Sequence, residues 1–160
     1  METTGRNISC SEKYKGTPLS PKGLEMILPN TADFTKCKNE QEFKMLFIKS
    51  APNKKDFHMF CIETEETVKG FPDVLCIHKE TDLASFEEFK YTKTGKIKFQ
   101  PTQPAFYKKY NDLSIIIIAY NAKTDKVHTF MTYELFDKNS PYYMNERAEV
   151  DLCRAEQLNK

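Results

Sequence analysis

Apolar residues recur along the chain with two periods, and the change of period divides it into elements. In residues 39–51, NEQEFKMLFIKSA, Phe43, Leu46 and Phe47 fall on one side of a helical repeat. Asn39, followed three residues later by Glu42, has the form of a capping box. APNKKD breaks that pattern. FHMFCIE (57–63), FPDVLCIH (71–78) and ASFEEFKY (84–91) read as strands, with Gly70 turning the chain before the second and TKTGK after the third. PTQPAFYKKYND reads as a short helix, capped by Thr102 and tolerating Pro104 in its first turn. DLSIIIIAYN (112–121) is nearly continuous in β-branched residues, as expected of a strand buried on both faces. KVHTFMTYELF adds a strand that passes into a helical turn. The order α-β-β-β-α-β predicts an α/β fold with a central mixed sheet flanked by helices.

The two ends carry weaker patterns. Residues 1–35 are polar, hold Pro18, Pro21 and Pro29, and read as an N-terminal extension in which SPKGLEMIL predicts one short turn of helix. Residues 36–138 form the expected core, and the charged stretch 139–160 reads as a C-terminal tail. A chain of 160 residues is long enough for one hydrophobic core.

Composition narrows the chemistry. The net charge of +1 gives no global basic field, so any nucleic-acid surface must be a local patch. The longest apolar run, 115–119, is too short to span a bilayer. No apolar signal core follows Met1, so an intracellular protein without a membrane partner is expected, cytoplasmic or, in a eukaryotic host, nuclear. Cys10, Cys37, Cys61, Cys76 and Cys153 lack paired spacing, which weighs against a zinc site or a disulfide frame. His58, His78 and His128 are scattered and read as structural.

One constellation points to a reaction. Glu88 and Lys90 lie two apart in a strand and therefore share a face. Asp73 follows Pro72 at the opening of the preceding strand, fifteen residues earlier. A hairpin of that length brings Asp73 beside Glu88. Paired carboxylates repel unless a cation lies between them. Oxygen ligands without His or Cys point to a hard ion, magnesium or manganese. Such an ion polarises a phosphoryl oxygen and activates water, and Lys90 stabilises charge developing on phosphorus. The implied chemistry is phosphodiester hydrolysis.

GFPDVL followed by FEEFK resembles the PD-(D/E)XK nuclease superfamily, whose signature is Pro-Asp, a spacer, then acid-X-Lys. The element order is similar to that family's restriction-endonuclease-like core. Gln103, in QPAFY, fits a Gln-X-X-X-Tyr pattern with Tyr107. The form looks closest to virus-type replication–repair nucleases and archaeal-type Holliday-junction resolvases, over roughly residues 39–121. The resemblance implies Asp73, Glu88 and the backbone carbonyl of Phe89 as metal ligands, with Lys90 as the catalytic lysine. It implies that Gln103 fixes the phosphate or the lysine, and that a first-helix glutamate faces the metal. Glu40 is preferred for that last role, because Glu42 has the capping box as its alternative.

Lys93, Lys96, Lys98, Lys108 and Lys109 surround the expected site without an intervening acid and form an expected phosphate track. Tyr107 and Tyr110 are candidates to stack on an unpaired base, with core packing as the alternative. The partner expected is DNA, recognised by structure or end, with a homodimer as one arrangement. Two competitors stand beside the nuclease: a non-catalytic nucleic-acid-binding module of the same fold, and an unrelated α/β interaction protein.

Overall fold

The computed structural model describes residues 32–62 and 69–159. The helical turn expected in SPKGLEMIL, nearly all of the 1–35 extension and Glu63 lie outside the described residues. The first helix, α1 (Glu40–Ser50), begins as its sequence predicts. The Asn39 side chain accepts the N–H of Glu42 at 2.9 Å, and the Glu42 carboxylate accepts the N–H of Lys38 at 2.9 Å. One orphan donor of the first turn is thereby satisfied, and the Glu42 side chain reaches back past the cap to the residue before it rather than to the N–H of Asn39. Phe43 and Phe47 are buried, with ring centroids 5.9 and 5.4 Å from Phe89. Phe34, assigned by its sequence to the extension, also packs on Phe43 and Tyr120. The core therefore begins before residue 36.

Strands β1 (Phe57–Cys61), β2 (Val74–His78), β3 (Ala84–Thr92), β5 (Ile115–Asn121) and β6 (Lys126–Met131) form one mixed sheet in the order β1-β2-β3-β5-β6. Its pairings are antiparallel except for β3 with β5, which run parallel. That parallel pair requires a crossover, supplied by α2 (Thr102–Lys109). Every residue of β5 is buried, because α1 covers one face and α2 the other. The fold is α/β, with three helices flanking the sheet among the described residues.

Several elements differ from the reading of the sequence. The charged tail 139–160 contributes β7 (Glu149–Asp151) and α3 (Leu152–Leu158), whose Val150, Leu152 and Ala155 are fully buried. β7 pairs antiparallel with β4 (Lys96–Lys98), which the lysine-rich sequence had disguised as a turn. Thr102 does not cap α2. Pro101 holds the cap position, and the Gln103 side chain accepts the N–H of Gln100 at 3.0 Å instead. Asp73 lies just before β2 rather than inside it. Gly70, at φ +89°, turns the chain where a Cβ would collide with the backbone carbonyl of Thr102. The approach to Asp73 thus packs directly on the head of α2.

Candidate active site

The residues singled out by spacing meet on the α2 side of β3. Glu88 stands opposite Ile117 and Lys90 opposite Ala119 in the parallel register, so both project into a layer otherwise built of isoleucine and aromatic side chains. Glu88 is 2% exposed and Lys90 8%. The Lys90 ammonium donates to Glu88 Oε1 at 2.5 Å, and Gln103 Nε2 donates to the same oxygen at 2.5 Å. Gln103 is itself buried, its Oε1 held by the Gln100 N–H. One turn of α2 therefore fixes the rotamer of Glu88 and, through it, the position of Lys90. The Phe99 ring lies beneath Lys90, its centroid 5.6 Å from Nζ.

Asp73 joins this group from the preceding loop. Its Oδ2 accepts the backbone N–H of Phe89 at 2.9 Å, between Glu88 and Lys90 in sequence. The hairpin convergence expected from a fifteen-residue spacing is what the structure shows. Glu40 is an exposed first-turn residue of α1, yet its carboxyl feels Lys90 and Asp73. Desolvation raises its pKa above the ordinary value, with Lys90 opposing and Asp73 adding to the rise. Glu42 is committed to the helix cap, whereas Glu40 is within electrostatic reach of Lys90 and Asp73.

Electrostatics in the cluster are strongly coupled. Burial pushes the Glu88 carboxyl up to about 7, with Lys90 holding it down and Asp73 and Glu40 pushing further up. Burial alone would lower the pKa of Lys90, but Glu88, Glu40 and Asp73 outweigh it, and the ammonium is held more firmly than usual. Glu88 Oε2 is buried without a hydrogen-bond partner. An ionised oxygen left bare in a dry site is costly. A hard cation is one group that satisfies it, and with Asp73, Glu40 and the Phe89 carbonyl the donor set is all oxygen, as magnesium or manganese requires. Among the described residues, no three His, Cys, Asp or Glu side chains are already gathered as a metal site. The fit therefore rests on the bare oxygen and on the donor chemistry.

Tyr107 is corrected. Only 1% exposed, it packs beside Phe99 and Phe106 and has no face to offer a base. Its hydroxyl lacks a hydrogen-bond partner, and burial followed by Glu88, Asp73 and Glu40 raises its pKa. The phenol is thus a neutral group looking toward the acids. Tyr110 is exposed at the end of α2, where Lys109 Nζ sits 5.3 Å from its ring centroid. The lysine track is also revised. Lys93, Lys96, Lys98, Lys108 and Lys109 are all exposed, but β4 pairing sets Asp151 opposite Lys96 and Glu149 opposite Lys98. Acids do intervene there, and Lys93, Lys108 and Lys109 lie outside that pairing. Phe99 went unnoticed in the sequence, although its alternation with Ile97 in KIKF was a signal of inward-facing side chains.

The fold and cluster together define an α/β protein with a buried acid–lysine–glutamine site at a parallel strand pair. No protein-family model matches the chain, and no curated protein is significantly similar to it in sequence. Among the described residues, no helix is long and apolar enough to cross a membrane.

Proposed function

We propose that the protein is a divalent-metal-dependent nuclease of PD-(D/E)XK type that hydrolyses DNA phosphodiester bonds, acting on junctions, flaps or other branched structures. The observation that carries this reading is Glu88. One oxygen is locked by Lys90 and Gln103, the other is bare and buried, and Asp73 is docked on the next residue's N–H. A structural ion pair has no need of a second acid drawn in from a separate loop. Asp73, Glu88, the Phe89 carbonyl and Glu40 would hold magnesium or manganese. That ion supplies a polarised phosphoryl oxygen and a water of lowered pKa.

The chain's own groups have distinct tasks. Lys90, kept charged by three carboxylates, supplies positive charge where it develops on the phosphoryl group. Gln103 holds Glu88 and Lys90 in register without carrying charge. Phe99 and Tyr107 exclude water from beneath them. Lys93, Lys108 and Lys109 contact phosphates outside the reacting group. A homodimer would account for paired cuts in a four-way junction.

A second reading, a binding module that keeps the fold without cleavage, draws on the same contact: Glu88 Oε1 is already filled, as in a purely structural pair. The test is cleavage of labelled single strand, duplex, flap and four-way junction with magnesium, with manganese and with chelator. Cutting that needs metal and falls by about 10²–10³ in Lys90→Ala supports the nuclease. Undiminished cutting in folded Lys90→Ala overturns the assigned site. Binding without cutting under either metal selects the module.

A further inference from the structure

Strand β1 forms one edge of the five-stranded sheet, and its backbone shows which groups that edge leaves free. The Lys79 N–H bonds the carbonyl of Asp56 at 2.9 Å, and the Ile62 N–H bonds that of Asp73 at 2.8 Å. In the antiparallel register, His58 and Phe60 belong to the same set and bond toward β2. The peptide groups of Phe57, Met59 and Cys61 therefore point away from the sheet. The Phe57 N–H is taken by the carbonyl of Lys54. Among the described residues, no strand pairs with the remaining N–H groups of Met59 and Cys61 or with the carbonyls of Phe57, Met59 and Cys61.

The strand also lacks the devices that keep an edge from pairing. FHMFC holds no Asp, Glu, Lys or Arg, no proline and no glycine. Phe57 and Met59 pack against the core under α1, so His58 and Phe60 face the other side of the sheet. Phe60 is 51% exposed, with its ring centroid 6.5 Å from that of His58. Beside them in β2 stand Leu75, opposite Phe60, and Ile77, opposite His58, both only partly buried. An apolar strip thus runs across the sheet to its free edge.

We infer that β1 is the two-fold interface of a homodimer, pairing antiparallel with β1 of a second copy about Met59 and joining the two sheets into one. The free groups match that symmetry. Each Met59 exchanges N–H···O bonds with its counterpart, and each Cys61 N–H meets the Phe57 carbonyl of the other copy. His58 of one copy and Phe60 of the other form a close aromatic pair, twice, between Leu75 on one side and Ile77 on the other. All residues of the strand are used, whereas a shift by two leaves Phe57 and His58 opposite residues beyond it. Charge agrees with the same arrangement. The chain entering β1 carries Lys54 and Lys55, and the chain leaving it carries Glu63, Glu65 and Glu66. An antiparallel two-fold sets the basic entry of one copy beside the acidic exit of the other.

The pairing follows from the edge alone, and its use for paired cuts rests on the nuclease reading above. The two-fold axis stands perpendicular to the joined sheet, so both acid–lysine clusters open on the same face. From β3 of one copy to β3 of the other is five strand spacings, about 24 Å across the sheet. Two cuts would then fall on one side of a single bound junction.

The test is sedimentation of the full chain over a micromolar concentration series, in chelator and without nucleic acid. A reversible monomer–dimer equilibrium is expected. Met59→Pro removes an outward N–H and no bond to β2, and Phe60→Lys puts a charge on an exposed edge position. Each is expected to raise the dimer dissociation constant about tenfold or more, the size of two lost cross-strand pairs. Melting curves check that the variants fold, and Phe60→Lys decides where Met59→Pro does not. A monomer at every concentration overturns the inference, and exchange of the Met59 and Cys61 amides then shows whether the chain covers its own edge. A dimer unchanged in folded Phe60→Lys lies elsewhere and overturns it too. Sedimentation needs no substrate, so a dimer that cuts nothing keeps the interface and drops the nuclease, whereas a cutting monomer does the reverse.

Discussion

Asp73 accepts the backbone N–H of Phe89, which ties the loop before β2 to the strand that carries Glu88 and Lys90. The bond sets the separation of the two acids independently of any ion. Asp73→Asn keeps an acceptor for that N–H but removes a charge. The variant is expected to melt within a few degrees of wild type while cleavage falls by about 10²-fold or more. Parallel melting curves and cleavage rates check this. A large loss of stability would mean that Asp73 acts as a structural residue.

Gln103 serves both the helix start and Glu88. Gln103→Ala removes a cap and leaves Oε1 with one donor fewer, so a stability loss of about 1–2 kcal/mol is expected. If Gln103 only positions, Gln103→Ala should retain much more cleavage than Lys90→Ala. Equal losses would place Gln103 in contact with the substrate.

Glu87 sits on the opposite face, fully buried, with neither oxygen hydrogen-bonded in ordinary geometry. Burial raises its pKa to about 7, and the Cys76 thiol beside it pulls the other way. A carboxyl raised on folding contributes stability that is complete below the unfolded value, 4.5, and is lost as pH climbs to about 7. Glu87→Met removes the liability. Its advantage in chemical denaturation should grow between those two pH values, level off above, and reach about 1–3 kcal/mol. No gain at pH 8 would contradict the burial of a charged Glu87.

His128, Asn121 and Thr124 all donate to Glu156 of α3. Despite some desolvation, those bonds bring the Glu156 carboxyl down to about 2, while burial lowers His128 below its usual value. Both folded pKa values are depressed, so both contributions are present at neutral pH and lost on acidification. His128 loses its share below the ordinary histidine value, 6.5, and Glu156 loses its share between 4.5 and about 2. Acid should therefore detach α3 early, which hydrogen exchange at Ala155 would report. In Glu156→Gln that acid-dependent opening should shrink.

Gly70→Ala combines a left-handed backbone with a collision at the carbonyl of Thr102. A loss of more than about 1 kcal/mol is expected, together with reduced cleavage, because the same turn delivers Asp73. A neutral substitution would show that the turn can relax.

Local rules made part of this molecule legible. The two-residue repeat put Glu88 and Lys90 on one face, and Asn39 with Glu42 announced α1. Four consecutive isoleucines signalled a strand covered on both sides. What escaped depends on pairing across long separations. Ile97 meets Val150, and neither KIK nor EVD has enough apolar residues to announce a strand alone. The same pairing brings Asp151 and Glu149 to Lys96 and Lys98, which no charge count along the chain reveals. Tyr107 was ambiguous for another reason: one helical position serves equally for a core ring or an exposed one until the packing layer is known.

The pairing of β4 with β7 also has a meaning in time. Synthesis proceeds from the N-terminus, and domains fold as their parts emerge. Asp73, Glu88, Lys90 and Gln103 are all made before residue 149. The strand that leads into Phe99, beneath Lys90, gains its partner only when residues 149–151 arrive, and the Leu152 N–H then closes on the carbonyl of Gly95. A nascent chain stalled before that point holds Asp73, Glu88, Lys90 and Gln103 and lacks the floor beneath the lysine. The acid–lysine cluster therefore stays without that floor until β7 has formed.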